Sequence, residues 1–301
     1  MNVYVYEGYI QAGGTYMAYH LGRILKQYFG CSVFIVGSRP DNLWFSYPED
    51  FPTIGLSEFE RSVSSQDLLI CNPSFSHMQF GLRLNCKKLC YVQGIRTFPV
   101  LDVYFDRYVA ASKFVSSFLQ QYYHITCNTI PPFVNIHLFD SKNKWDMRSN
   151  VMLVSGYKKD HMLLDRLQNL YLDRHPDIPL TFAELPLGLQ ANIAEIIGNH
   201  KYYLDLGVME GFGLQMLEAM AAGCLAVGWD SGGNSEYAVH GVNCLLARYS
   251  DVHSLSESIY MSLSDREIAK RLSEAGYETA QRFSIERFDS AWIEELKSLV
   301  D

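Results

Sequence analysis

The sequence lacks the patterns that mark several common kinds of functional site. No Asp-x-Asp occurs among the 301 residues, so a carboxylate pair of the kind that grips a metal–diphosphate is missing. The nine histidines show no metal-ligand spacing, and cysteine and histidine do not cluster. A P-loop and a Gly-x-Ser-x-Gly elbow are absent as well. These absences argue against hydrolase and kinase functions and against a bound metal.

The chain also has no excess of positive charge, no long apolar run and no Cys-x-x-Cys pair. With a net charge of −8, the chain is not expected to bind nucleic acid or anionic membranes through a general positive field. The N-terminus lacks a basic segment followed by an apolar one, and no apolar run reaches membrane-span length, so neither a signal peptide nor a transmembrane segment is expected. Peripheral contact with a membrane stays open. Seven cysteines without a Cys-x-x-Cys favour reduced core thiols and a cytoplasmic protein.

Short apolar strands alternate with helical patterns along the chain, which is typical of βαβ units in parallel sheets. The predicted strands cover Asn2–Tyr6, Ser32–Val36, Leu68–Cys71, Lys88–Val92, Tyr108–Ala111, Val151–Ser155, Pro179–Ala183, Tyr202–Leu206, Cys224–Gly228 and Cys244–Leu246. The predicted helices include Thr15–Phe29, Lys113–Tyr122, Leu214–Ala222 and Ile285–Leu299. The polar stretch 135–149 is the candidate linker between two series of such units. The sequence therefore predicts an α/β protein with two doubly wound parallel sheets.

The segment 208–236 carries the most chemical information. Glu210 precedes Gly211-Phe212-Gly213, where glycine permits a tight turn, and an apolar run that favours helix follows. Because that helix would begin near Gly213, its free N–H groups would attract an anion such as phosphate. Glu218 lies about 7–8 Å further along the helix, where an ionised carboxylate is costly without a partner. This layout suits a nucleotide-diphosphate sugar, which has hydroxyls at both ends and phosphate between them.

The residues EGFGLQMLEAMAAG, followed by GWDSGGNSEY, resemble the donor-binding region of a large family. This family is glycosyltransferase family 4, the retaining GT-B glycosyltransferases, also called glycosyl transferases group 1. The chain resembles a short variant of the family. The resemblance implies two Rossmann-like domains that face each other across a cleft. Residues 1–140 would form the acceptor domain and residues 141–284 the nucleotide-sugar donor domain. Residues 285–301 would form a helix that crosses back to the first domain.

In that family both glutamates of the motif bind the donor. Carried over, Glu210 would hold the hydroxyls of the transferred sugar and Glu218 the ribose. The backbone donor contacts would come from Gly211, Phe212, Gly213 and Leu214, and from the close approach that Gly232 and Gly233 allow. The alternative is that Glu218 is a helix carboxylate satisfied by backbone groups or an arginine, and that Glu210 is a first-turn acid.

Loops after other predicted strands supply further candidates. In Gly156-Tyr157-Lys158-Lys159, Tyr157 stands where the family has an arginine for the donor diphosphate. Gly156 and either Lys158 or Lys159 would still contact the diphosphate, unless the lysines are merely solvated. Gly13 and Gly14 resemble the glycine pair that opens the first domain of this family, where backbone approaches the donor phosphate or the acceptor, although a plain strand-to-helix turn explains them about as well. The candidate acceptor contacts are Asn72, Ser74, Gln93 and Arg96, and the amides among them also fit turn capping.

The resemblance implies a retaining hexosyltransferase. It would move a sugar from a nucleotide-diphosphate sugar to a saccharide or lipid-linked saccharide, without a metal or cofactor, in surface polysaccharide synthesis. Its catalytic candidates are Glu210, Lys158 and Lys159. Two alternatives stay open: a non-catalytic sugar-binding or partner subunit of the same fold, which the missing arginine motivates, and a sugar-nucleotide epimerase or phosphorylase. The sequence names neither the donor sugar and base nor the acceptor.

Overall fold

The computed structural model describes residues 1–6, 12–37, 49–141, 143–155 and 161–300. The chain forms two units, Met1–Phe133 with Glu286–Asp301, and Val134–Ile285. The C-terminal residues therefore group with the first unit. Residues 134–140, which the sequence analysis assigns to the first domain, group with the second.

Each unit contains one parallel sheet. The strands are β1 (Asn2–Tyr6), β2 (Ser32–Val36), β3 (Thr53–Ile54), β4 (Leu68–Cys71), β5 (Lys87–Val92), β6 (Arg107–Ala110), β7 (Asn128–Thr129), β8 (Ser149–Ser155), β9 (Phe182–Leu185), β10 (His200–Asp205), β11 (Leu225–Trp229) and β12 (Leu245–Ala247). The first sheet has the order β3-β2-β1-β4-β5-β6-β7, and the second has the order β12-β11-β10-β8-β9. All of these strand pairs are parallel.

Helices connect the strands, as the alternating pattern predicts. They are α1 (Gly13–Phe29), α2 (Leu56–Ser62), α3 (Phe80–Arg83), α4 (Lys113–Tyr123), α5 (Ile136–Phe139), α6 (His161–Arg174), α7 (Gln190–Gly198), α8 (Leu214–Ala221), α9 (Val252–Ser264), α10 (Arg266–Ala280) and α11 (Ile285–Val300). Three short 3₁₀ helices cover Pro73–Met78, Trp145–Met147 and Gly233–Glu236. This alternation confirms the predicted α/β class.

The C-terminal helix α11 is anchored to the first sheet through an apolar face and one ion pair. Trp292 is fully buried, and its ring meets the Tyr91 ring of β5 edge-on with centroids 4.9 Å apart. Arg107 of β6 forms a 2.8 Å ion pair with Glu295, a carboxylate that is itself buried. These contacts explain why the last residues belong to the first unit.

The second sheet brings the loops after β10 and β11 to the edge at which β8 ends. β10 is central and pairs with β8 on one side and β11 on the other. One face packs Leu204 and Val227 against α6 and α9. Because side chains alternate along a strand, Tyr203 and Asp205 point to the opposite face, against which α7 and α8 pack. Parallel strands end at the same edge of a sheet, so Ser155 at the end of β8 lies near the loops that follow β10 and β11.

One strand prediction is wrong in position. The strand predicted at Pro179–Ala183 runs from Phe182 to Leu185. Proline has no N–H to donate to a neighbouring strand, and pairing begins where the Met152 N–H donates to the Thr181 carbonyl at 2.9 Å. The cysteine prediction is confirmed, since all seven cysteines are free thiols and six of them are buried.

We expect Gly228→Ala to destabilise the second sheet. Gly228 pairs with Asp205, and a Cβ atom at Gly228 would lie 2.3 Å from the Asp205 carbonyl oxygen. The two strands must separate to accept it, at a cost of about 1–3 kcal/mol. Urea unfolding measures this loss. The control is Gly188→Ala, whose Cβ would meet no heavy atom within 4 Å and should change stability by less than about 0.5 kcal/mol. Equal effects of the two substitutions would contradict the packing described here.

Candidate functional site

The loop between β10 and α8 forms the tight turn that the sequence predicts. The Asp205 carboxylate at the end of β10 accepts from the Gly207 N–H at 2.8 Å. Met209 and Gly213 both have left-handed backbones, with φ of 49° and 80°, a conformation that is natural for glycine and uncommon for methionine. Gly213 is the N-cap of α8, which confirms the predicted helix start, and it has no side chain to cap the helix. The first N–H groups of α8 are thus arranged as in anion-binding helix ends.

The glycine pair after β11 lies directly against this loop. The Gly233 N–H donates to the Glu210 carbonyl at 3.0 Å, and Gly232 forms an isolated parallel bridge with Glu210. A Cβ atom at Gly233 would lie 2.3 Å from the carbonyl carbon of Gly211, so only glycine fits. Glycine is therefore required at position 233 because this residue lies against the protein's own backbone. Contact of Gly232 and Gly233 with a donor stays a prediction.

Two buried polar side chains fix the two loops further. Asn234 accepts from the Ser231 N–H at 3.0 Å and donates to the Trp229 carbonyl at 2.8 Å. The Tyr237 hydroxyl donates to the Gly213 carbonyl at 2.5 Å. Since Tyr237 follows the β11 loop and Gly213 precedes α8, this bond ties the start of α8 to the neighbouring loop. The helix end is consequently held from both sides of the turn.

Glu218 lies inside α8 and is only 8 % exposed. Its Oε1 atom accepts from the side-chain N–H of Gln190, the first residue of α7, at 3.3 Å. Burial raises the pKa of Glu218 to about 7, and the hydrogen bond from Gln190 acts in the opposite direction. The partner is a glutamine amide, not the arginine or backbone group of the alternative interpretation. Sequence reasoning missed it because Gln190 lies 28 residues earlier and no local pattern signals the contact.

Glu210, the other acid of the motif, is half-buried in the loop. Its Cγ and Oε1 atoms lie 3.0 and 3.2 Å from the position of a Cβ built on Gly207, so its side chain folds back over its own loop. Its main chain is fixed by the contacts with Gly232 and Gly233. The structure thus holds Glu210 at the edge where α8 begins, and its contact with a sugar stays a prediction.

The end of β8 is also joined to this helix. The Ser155 hydroxyl donates to the side-chain carbonyl of Gln215 at 2.9 Å, and Gln215 belongs to the first turn of α8. No sequence pattern singles out Ser155 or Gln215 as a site residue. The candidates Gly156, Lys158 and Lys159 come directly after Ser155 and lie outside the described residues.

The candidates in the first unit show structural roles. Gly13 and Gly14 form the first turn of α1, which begins two residues before the predicted start, so they belong to the helix and not to the loop. The Gln93 amide donates to the Gly14 carbonyl at 3.1 Å. Asn72 is an N-cap that accepts from the Ser74 N–H at 2.8 Å, as the capping alternative expects. Arg96 is exposed. Acceptor contacts for Asn72, Ser74, Gln93 and Arg96 stay predictions.

The described residues form neither a metal-binding cluster nor a bilayer-spanning helix. Within them, no group of three or more His, Cys, Asp or Glu side chains is placed to hold a metal ion. No helix in the same part of the chain has both the length and the apolar character needed to cross a bilayer. The metal independence inferred from the sequence stays a prediction.

One region of the chain, which includes α7 and α8, matches the model of a known protein family. Residues 186–279 match the family model described as glycosyl transferases group 1. N-acetyl-alpha-D-glucosaminyl L-malate synthase of Bacillus anthracis is 27% identical over 148 residues, which cover 49% of this chain and 37% of that protein. The GtfA subunit of the UDP-N-acetylglucosamine–peptide N-acetylglucosaminyltransferase of Streptococcus gordonii is 28% identical over 119 residues, which cover 37% of this chain and 23% of that protein. The chain thus spans well under half the length of either relative.

Solved structures share the fold across nearly the whole chain. Anabaena HepE in complex with UDP-glucose has a TM-score of 0.71 at 14% identity, covering 98% of this chain and 99% of that one. A glycosyltransferase from Rickettsia africae has a TM-score of 0.70 at 16% identity, covering 100% of this chain and 99% of that one. The fold is therefore that of GT-B glycosyltransferases, with two parallel-sheet α/β domains of seven and five strands. This confirms the predicted fold class.

Burial of Glu218 predicts that its effect on stability depends on pH. Its pKa is about 7 in the folded protein and near 4.5 when unfolded, so the unfolded chain releases this proton first. The stability penalty is absent below pH 4.5, grows as the pH rises to 7, and is complete above it. Urea unfolding should therefore show that Glu218→Gln gains about 2 kcal/mol relative to the wild type between pH 5 and pH 8.

The control for this measurement is Glu195→Gln, which removes an exposed carboxylate of α7. Its stability relative to the wild type should change by less than about 0.5 kcal/mol over the same pH range. A Glu218→Gln difference that is equally flat would show that the Glu218 carboxylate is not buried as described.

Proposed function

We propose that this protein is a glycosyltransferase that moves a sugar from a nucleoside-diphosphate sugar to an acceptor hydroxyl, with retention of anomeric configuration. The family match over residues 186–279 supports this proposal, since that region contains both motif glutamates and Gln190. The fold shared with GT-B glycosyltransferases supports it too. Fold alone would admit other chemistries, so the proposal depends on the site.

The observation that carries the proposal is the arrangement around α8. Its N-terminus is preceded by a glycine turn and capped by no side chain at Gly213. Such a helix end favours phosphate through its N–H groups and its dipole. Glu218, further along the same helix, is a buried carboxylate with a single amide partner among the described residues. A nucleoside diphosphate offers phosphate to the first feature and ribose hydroxyls to the second.

We propose that the donor is a uridine diphosphate sugar, so that its base is uracil. The names of several similar proteins refer to it: the Streptococcus gordonii relative acts with UDP-N-acetylglucosamine, and the Anabaena structure holds UDP-glucose. Neither name fixes the transferred sugar, so a hexose or N-acetylhexosamine is the proposed class. For the acceptor we propose a saccharide or lipid-linked saccharide in surface polysaccharide synthesis.

In the proposed reaction, the bond between the anomeric carbon and the diphosphate oxygen breaks first, through an oxocarbenium-like state. N–H groups at the start of α8 stabilise the charge that develops on the leaving diphosphate. The acceptor oxygen then bonds to the anomeric carbon from the face that the diphosphate leaves, and its proton passes to a diphosphate oxygen. Retention follows without a dedicated protein base, and Glu210 orients the sugar. We propose that no metal takes part.

We expect Glu210→Gln to weaken sugar recognition and leave nucleotide recognition intact. The amide cannot accept from sugar hydroxyls as strongly as the carboxylate does. Calorimetry should show that the affinity for UDP is unchanged within about twofold. The affinity for the UDP-sugar donor should fall about tenfold, which corresponds to one lost charged hydrogen bond. Equal losses for UDP and UDP-sugar would contradict the role of Glu210.

The test of the proposed function itself is a screen of the wild-type protein. UDP-glucose, UDP-N-acetylglucosamine, GDP-mannose and ADP-glucose are added in turn, and a ligand that binds the folded state should raise the melting temperature. The ligand found is then incubated with a saccharide and lipid-linked acceptor panel, and mass spectrometry should detect transfer. The absence of any stabilising nucleotide sugar would refute the proposal.

Other outcomes of the screen identify the alternatives. Binding without transfer to any acceptor would favour a non-catalytic partner subunit. Release of a sugar phosphate that requires inorganic phosphate would indicate a phosphorylase. Conversion of one nucleotide sugar into its epimer would indicate an epimerase.

A further inference from the structure

Glu218 has more acceptor capacity than the described residues use. An ionised carboxylate offers about four acceptor positions. Among the described residues, Glu218 accepts one hydrogen bond, from the Gln190 amide at 3.3 Å. The side chain is nevertheless 8 % exposed. A buried carboxylate with few donors is unfavourable unless a ligand supplies them. Hydroxyl or amine donors from a bound molecule would therefore stabilise the Glu218 carboxylate.

Gln190 reaches Glu218 from a separate element. It is the first residue of α7, and α7 packs against both β10 and α8. Its half-buried amide donates to Oε1, one of the two carboxylate oxygens. Because it is neutral, Gln190 can favour the ionised form of Glu218 without cancelling its charge. An arginine or lysine in this position would neutralise the carboxylate and compete with a ligand.

We infer that Gln190 is a positioning residue for the nucleoside end of the donor, since it holds one oxygen of Glu218 and directs the other to the ribose hydroxyls. This inference rests on the proposed function and deepens it. Gln190 acts through Glu218 and need not touch the substrate. Its amide fixes the rotation of the carboxylate, so Oε2 is set to accept from the 2′- and 3′-hydroxyls. The inference predicts that the protein distinguishes ribonucleotides from 2′-deoxyribonucleotides through this pair.

The groups packed around Glu218 do not neutralise its carboxylate. From the sheet, Tyr203 faces it, with Asp205 on the same strand and Cys224 nearby. Burial, with Asp205 and Glu218 adding to it, raises the pKa of Tyr203 well above its ordinary value, so this phenol stays neutral. Burial also raises the pKa of Cys224 to about 12. From α10, Gly276 packs against Met220 of α8, an uncharged contact. From α7, the neutral amide of Gln190 opposes the upward shift in the Glu218 pKa.

The experiment compares wild-type protein with Gln190→Leu and Gln190→Asn. Leucine keeps much of the side-chain volume and removes the N–H donor. Asparagine keeps the amide, but its side chain is shorter by one methylene group. Calorimetry measures affinity for UDP and for 2′-deoxy-UDP from pH 5.5 to 8.5. The control is Gln168→Leu, which removes a glutamine whose amide donates to the Leu180 carbonyl at 3.2 Å in the same unit. Urea unfolding checks that each variant is folded.

We expect the wild type to bind UDP about tenfold more weakly at pH 6 than at pH 8, because at pH 6 the Glu218 carboxyl is mostly protonated. In both Gln190 variants, the pH at which half of the affinity for UDP is lost should be higher than in the wild type. Their affinity for UDP at pH 8 should fall about tenfold, and their preference for UDP over 2′-deoxy-UDP should shrink. The Gln168→Leu protein should match the wild type in all three respects.

The outcomes separate the inference from the proposed function. If wild-type protein binds UDP but Gln190→Leu and Gln190→Asn keep its pH midpoint and its ribose preference, the inference is wrong and the proposed function stands. If wild-type protein binds neither UDP nor GDP nor ADP, the proposed function is wrong and the inference fails with it. A uniform loss of affinity at every pH and for both nucleotides would show a merely structural role for Gln190 and would overturn the inference.

Discussion

The burial of one carboxylate, that of Glu218, is the constraint on which this site depends. A carboxylate within an apolar helix is unfavourable unless donors compensate for lost water, and one amide from Gln190 does so only in part. The pKa of Glu218 is therefore raised by burial to about 7. The fold keeps this unfavourable group inside α8, opposite Tyr203 of the central strand. A buried acid with a raised pKa is typical of functional sites.

Close backbone contacts make the surrounding geometry rigid. Gly228 allows β10 and β11 to approach at the level of Asp205, and Gly233 allows the β11 loop to meet the peptide of Gly211. Side chains in these places would push the two loops apart. The hydroxyl of Tyr237 then ties the start of α8 to the same loop. The helix end is thus positioned by main-chain packing, which preorganises N–H groups better than flexible side chains would.

Patterns that are local in sequence predicted most of this architecture. Apolar runs identified ten of the twelve described strands and missed the two-residue edge strands β3 and β7. The glycine turn before Leu214 identified the start of α8, because this signal also depends on a few consecutive residues. Contacts between distant residues were not predictable. Gln190 meets Glu218 across 28 residues, and Gly233 is constrained by a peptide on another loop. The β9 strand was misplaced because apolar character outweighed the missing N–H of Pro179. No local sequence pattern showed that α1 begins at Gly13.

The most direct test of the account is a crystal structure of the protein with UDP, in which the distances from the nucleotide to α8 are measured. The account predicts a ribose hydroxyl within about 3.2 Å of a Glu218 oxygen, phosphate oxygens on the N–H groups at the start of α8, and the Gln190 amide still on the other Glu218 oxygen. A nucleotide bound away from α8, or a Glu218 carboxylate turned from the ribose toward protein partners, would contradict it.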